Sequence, residues 1–165
     1  MKRDRRRPAA ARPATELSLE LRGLELVQSF SGFSGQYNVA WSSSGTLLAA
    51  DADKKAVAVW SMAAKEPRLL KGHQSKIILG LAWHPSYSIL ATGSDDRTVR
   101  IWEVDADTSR VLCELDKAVR GVSWSPDGSR LAVGTAGGYL SVWDWQNGSL
   151  VHSARVHETN INRIY

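Results

Sequence analysis

Four histidines, two adjacent aspartates, one cysteine and a run of arginines are the side chains of this chain best suited to chemistry. His73, His84, His152 and His157 could serve as bases or metal ligands, but a structural role is the preferred reading and no metal is expected. Asp95-Asp96 would suit acid–base work, yet aspartates favour turns, and the turn reading is preferred. Cys113 closes the apolar run Val111-Leu112-Cys113 and reads as a small core residue rather than a reactive thiol. A lone cysteine excludes an internal disulfide and suits a reducing compartment. Ser125-Pro126-Asp127-Gly128 has the composition of a β-turn. Nothing matches a nucleophile elbow, a phosphate loop or a dinucleotide fingerprint. The expectation is therefore no catalytic residue, no metal, no cofactor and no small-molecule substrate.

The net charge of +4 is unevenly spread. Residues 1–12 carry six basic side chains against Asp4, whereas the remainder, with 15 basic and 16 acidic residues, is nearly neutral. Residues 1–20, rich in Arg, Ala and Pro, hold too few apolar groups to offset ordering entropy and are expected to form a disordered basic tail. Lys2, Arg3, Arg5, Arg6 and Arg7 make a candidate nuclear-import or anion-binding arm, with a plain solvated tail as the alternative. No stretch approaches the roughly 20 apolar residues of a membrane span, and no apolar segment follows Arg5-Arg6-Arg7 as in a secretory signal. An intracellular protein, cytoplasmic or nuclear, is expected, with no membrane partner.

The elements that must position these residues announce themselves by repetition. Trp41, Trp83 and Trp124 are 42 and 41 residues apart, and so are Trp60, Trp102 and Trp143. Val39-Ala40-Trp41-Ser42, Leu81-Ala82-Trp83-His84 and Val122-Ser123-Trp124-Ser125 correspond. After each come an apolar run, a polar turn and a β-rich stretch ending in the second Trp. Runs of four to six residues rich in Val, Ile and Leu, bounded by Gly, Pro, Asp or Ser, read as strands and hairpins. No 3.6-residue apolar period is sustained beyond residue 24, so helices are not expected. Four short antiparallel strands per 42 residues describe a β-propeller blade. The predicted fold is all-β over 24–165, with blades at about 37–70, 79–115 and 120–154, an outer strand at 24–30 before them and the start of a fourth unit after them. Three blades fall short of the four to eight that usually close a ring. The segment is thus expected to be an incomplete ring, either part of a longer protein or one component of a ring assembled from several copies.

These motifs resemble the WD-repeat family. The second unit carries most of the likeness: Gly72-His73, then Leu81-Ala82-Trp83, then Leu90-Ala91-Thr92-Gly93-Ser94-Asp95-Asp96-Arg97-Thr98-Val99-Arg100-Ile101-Trp102-Glu103, with Glu103 where the family has Asp. The third unit ends in Trp143-Asp144. The resemblance implies a structural tetrad of His73, a hydroxyl from Thr92 or Ser94, Asp96 and Trp102. In the first unit Lys54 takes the Asp position and Phe33 lies near the His position. In the third, Gly137 takes the Asp position and no His is present. The second blade should be the best ordered, and replacing His73 should cost more stability than replacing His84.

The resemblance also implies a non-catalytic protein-interaction scaffold that assembles protein or peptide partners. Lys54, Lys55, Gln74, Ser75, Lys76, Asp95, Arg97 and Tyr139 form the candidate partner-binding face, Arg and Tyr being common interface anchors. The alternative is a nucleic-acid- or chromatin-associated module, with contact through the N-terminal arm only.

Overall fold

The two tryptophan series mark two strands of every sheet, and one rung of each sheet joins them. Trp41 pairs with Leu48 and Leu48 with Trp60; Trp83, Leu90 and Trp102 repeat the rung, and so do Trp124, Leu131 and Trp143. A leucine flanked by two indoles recurs because each repeat folds into the same meander, which is why both series share one period.

In the computed structural model, residues 38–165 are described, apart from 53, 54, 65, 76, 162, 163 and 165. The chain divides into two units, Met1–Gly32 and Phe33–Tyr165, and all described residues belong to the second. The basic tail, the strand expected at 24–30, Phe33, Lys54 and Lys76 lie outside the described residues.

Twelve strands are found among the described residues, and no helix. The first sheet comprises β1 (Val39–Trp41), β2 (Leu47–Ala52), β3 (Ala56–Ser61) and β4 (Arg68–Lys71). The second holds β5 (Ile78–Trp83), β6 (Ile89–Ser94), β7 (Thr98–Glu103) and β8 (Thr108–Glu114). The third holds β9 (Val119–Trp124), β10 (Arg130–Thr135), β11 (Tyr139–Asp144) and β12 (Ser149–Arg155). Within each sheet every strand pairs antiparallel with its neighbours in chain order. The all-β fold of four-stranded propeller blades is as the period implied.

The strand runs do not alternate cleanly between apolar and polar residues, because β2, β3 and β6 are buried on both faces. One core, with Val57, Leu70, Ile78, Leu90 and Trp102, joins the first two sheets. Another, with Ile101, Leu112, Val119, Leu131 and Val133, joins the second and third. Fully burying such a side chain stabilises by about 1.5–3 kcal/mol. The inner strands approach closely: a Cβ on Gly80 in β5 would stand 3.0 Å from the Val122 amide nitrogen in β9, so any larger residue must push the two strands apart by a few tenths of an ångström.

Hydrogen bonds stitch neighbouring sheets in both directions. Trp83 donates to the Ala40 carbonyl at 2.9 Å and Trp124 to that of Ala82 at 3.0 Å, each reaching back one blade. Arg68 and Arg110, at equivalent places in the outer strands, reach forward to the carbonyls of Val104 and Trp145. Long stems and planar heads let Arg span such gaps.

Candidate functional site

In a four-stranded meander, the turn between the second and third strands and the loop leaving the fourth share one end of the sheet. In the second blade that end carries His73, from the β4–β5 loop, and Asp96, from the β6–β7 turn. The His73 ring lies 2.8 Å from Asp96 through Nδ1 and 2.8 Å from the Thr92 hydroxyl through Nε2. The Trp102 indole donates to the same hydroxyl at 2.8 Å. For the neutral ring one arrangement satisfies all three contacts: Nδ1–H donates to Asp96, and Thr92 donates to Nε2 while accepting from Trp102.

Asp96 is held further. Oδ1 accepts from the Thr98 hydroxyl at 2.6 Å and the Thr98 amide at 3.0 Å, and Oδ2 accepts from the Gln74 amide at 2.7 Å. Burial works to raise the Asp96 pKa, but the bonds from Thr98 and Gln74 and the nearness of His73 outweigh it, holding the carboxyl well below the usual range. Burial lowers the pKa of His73 against the opposing pull of Asp96. The resting pair is therefore a neutral imidazole on a carboxylate.

Ser94 stands outside this chain of bonds. Its hydroxyl donates to the Ile77 carbonyl at 2.8 Å and accepts from the Asp96 amide at 3.2 Å. Thr92 and Ser94 share a face of β6, but Thr92 stands across from Arg100, two residues from Trp102, and so lies within reach of the indole. Thr98 joins the cluster without having been anticipated; its place two residues after Asp96, where a hydroxyl can close an Asx-type turn, is the signal that could have found it.

His84 is buried as deeply as His73. It is 2% exposed. Nδ1 accepts from the amides of Ser86 at 3.0 Å and Tyr87 at 3.3 Å, and Nε2–H donates to the Gly128 carbonyl at 3.1 Å. Its ring meets Trp124 edge-on at 4.8 Å between centroids, with Trp145 beyond at 5.6 Å. Burial depresses its pKa, opposed by the Gly128 bond. His73 and His84 are thus both buried and bonded through both ring nitrogens. His152 and His157 are exposed.

The third blade lacks the cluster. Thr92 becomes Val133, Asp96 becomes Gly137 and Arg100 becomes Ser141 at matching ladder positions. The loop 115–118 is two residues shorter than 72–77 and carries no histidine. Trp143 donates instead to the Ser141 hydroxyl at 2.9 Å. In the second blade the Arg100 guanidinium lies over Trp102, 5.8 Å from the ring centroid. With neither that side chain nor an imidazole present, a cavity of about 410 Å³ opens, lined by Asp116, Lys117, Thr135, Tyr139 and Ser141 among others.

Lys55, Gln74, Ser75, Asp95 and Arg97 fall in the loops and turns at this end, and Tyr139 opens β11 beside the β10–β11 turn. Lys55, Gln74, Asp95, Arg97 and Tyr139 are exposed and Ser75 is half-buried. Lys55 and Arg97 hold left-handed backbone at φ 64° and 71°, where the third blade has Gly138 at φ 79°. Cys113 is buried, and burial pushes its thiol up to about 12, far from a reactive thiolate. Among the described residues no three His, Cys, Asp or Glu side chains converge as a metal site requires.

A family model described as WD domain, G-beta repeat matches residues 64–103, and one described as Anaphase-promoting complex subunit 4 WD40 domain matches residues 109–165. The first match begins just before β4 and ends with β7, so the repeat in sequence straddles two sheets. No curated protein matches the chain.

Proposed function

Because the chain belongs to the WD-repeat family, whose repeats generally mediate protein–protein interaction, we propose that it is a non-catalytic scaffold presenting the His73–Asp96 end of its blades to protein or peptide partners. The supporting observation is the pair Lys55 and Arg97. Both are charged, exposed and held at positive φ, where glycine would relieve strain of about 1–2 kcal/mol. Side chains kept at such a cost point to a use beyond folding. The residues best suited to chemistry are otherwise engaged: His73 and Asp96 bond each other, His84 is locked against Gly128, and the Cys113 thiol is buried.

The test is a pull-down with the full chain and with a Lys55→Gly/Arg97→Gly variant. The variant should fold at least as stably and lose partners that the parent retains. Equal recovery by both would sink the assignment of this face.

A second reading rests on the basic residues clustered in positions 1–12. Through Lys2, Arg3, Arg5, Arg6 and Arg7 the arm would bind nucleic acid or direct the chain to the nucleus. Affinity for an anionic polymer should then fall steeply with salt; flat binding, or a reporter whose distribution the arm leaves unchanged, counts against it.

A further inference from the structure

The cavity beside the third blade stands where the second blade keeps its own carboxylate network. We infer that it takes the carboxylate side chain of an acidic segment in a partner protein, an inference that rests on the scaffold reading and gives it a specific pocket.

The comparison between blades carries the point. At the second blade Asp96 supplies an anion that the Gln74 amide, the Thr98 hydroxyl and His73 all contact. At the third blade the corresponding turn residue is Gly137, which brings no anion. Beside it lies the stem of Lys117: a Cβ built on Gly137 would meet the Lys117 Cγ at 3.4 Å. A lysine thus lines the cavity at the turn where the second blade carries its carboxylate.

The remaining walls suit the same guest. Tyr139 and Ser153 bring hydroxyls able to donate to a carboxylate, whereas those of Thr135 and Ser141 already donate to the Tyr139 and Val133 carbonyls at 3.4 and 3.5 Å. Arg155 pairs across the ladder from Tyr139, adding a second positive charge near the rim. Asp116, also in the lining, is the one opposing charge. The volume of about 410 Å³ lies within the range of small-ligand pockets and exceeds what one acidic side chain needs. Tyr139, 49% exposed, stands at the cavity as an aromatic wall for the adjoining peptide.

The experiment titrates the full chain with a capped hexapeptide, acetyl-Gly-Ala-Glu-Glu-Ala-Gly-amide, following the Trp143 indole N–H by NMR. The parallel titrants are its Gln-Gln and Lys-Lys counterparts and free glutarate. The Glu-Glu peptide should shift that resonance at least tenfold more tightly than the others. Lys117→Glu should weaken binding about tenfold or more, and Asp116→Asn should tighten it. Both substitutions fall in an exposed loop and leave the cores untouched. Equal binding of the Gln-Gln peptide, unchanged affinity in Lys117→Glu, or glutarate binding as tightly as the peptide would each overturn the inference. The titration reads the cavity alone, so a negative result leaves the Lys55–Arg97 face, tested by pull-down, standing.

Discussion

His73→Ala is the perturbation that most directly probes why the second blade is built as it is. Removing the imidazole takes the acceptor from the Thr92 hydroxyl, which is 0% exposed, and one donor from Asp96 Oδ2. A buried polar group left unsatisfied costs about 1–3 kcal/mol. Asp96 keeps Thr98 and the Gln74 amide, so its loss falls at the low end, while Thr92, sealed from water, falls nearer the high end. The sum is about 3 kcal/mol, which for a domain of this size lowers Tm by roughly 6–12 °C. Thermal and urea unfolding followed by circular dichroism measure it. His152→Ala is the control: it is exposed on β12 and should stay within about 0.5 kcal/mol of the parent. His84 cannot be that control, since its own hydrogen bonds and ring contacts are buried. A double-mutant cycle with Asp96→Ala should show coupling above about 1 kcal/mol. Additive effects, or a His73→Ala loss no larger than that of His152→Ala, would refute the reasoning.

Two further outcomes follow from the same geometry. The pKa values of His73 and His84 are both lowered from 6.5 in the fold. Well above pH 6.5 neither the folded nor the unfolded chain protonates them and their contribution is complete. As pH falls below 6.5 the unfolded chain takes up protons that the fold resists, so stability drops. The urea midpoint should therefore be lower at pH 5.5 than at pH 7.5, and His73→Gln should shrink the difference; a flat profile would contradict the depressed values. Gly128→Ala should destabilise severely, because the backbone there has φ +72° and the added Cβ would stand 2.3 Å from the His84 ring. Gly45→Ala, at φ +69° with nothing within 4 Å, carries backbone strain alone, about 1–2 kcal/mol. Comparable losses at both positions would argue against the His84 packing.

How much of this was legible in the sequence depends on how far apart the partners lie. The blade architecture was readable because its determinants are local: strand, turn and strand recur within one period, and the Trp–Leu–Trp rung keeps both indole series in step. His73, Asp96 and Trp102 were readable from the motif, but the hydroxyl between His73 and Trp102 was not. Thr92 and Ser94 point the same way from β6, and only the register opposite β7 separates them. The surroundings of His84 were not legible, because the carbonyl it bonds belongs to Gly128, 44 residues onward. Arg68 and Arg110 gave no signal either, since their carbonyl partners lie 36 and 35 residues away in the next blade. That Gly137 stands in the Asp position was legible from the motif, but nothing local showed that Ser141, at the place of Arg100, borders the same space and leaves a cavity there.

Equivalence in sequence is also no guarantee of equivalence in energy, as the inner-strand tryptophans show. Trp41, Trp83 and Trp124 occupy one position in three repeats. Trp83 and Trp124 each donate to the carbonyl one residue before the tryptophan of the preceding blade, whereas Trp41 is 55% exposed. Trp124→Phe keeps most of the apolar contact with His84 and Trp145 but removes the donor to Ala82, leaving a half-buried carbonyl short of a partner. The loss should be about 1–2 kcal/mol, the range for a buried group deprived of its hydrogen bond. Trp41→Phe removes no such bond between described residues and should change stability by less than about 0.5 kcal/mol. If the two substitutions cost the same, the cross-blade indole bonds contribute nothing beyond ring packing. If Trp124→Phe costs more, the bond that repeats from blade to blade acts as a directional tie, one that sequence periodicity can locate without revealing which neighbour receives it.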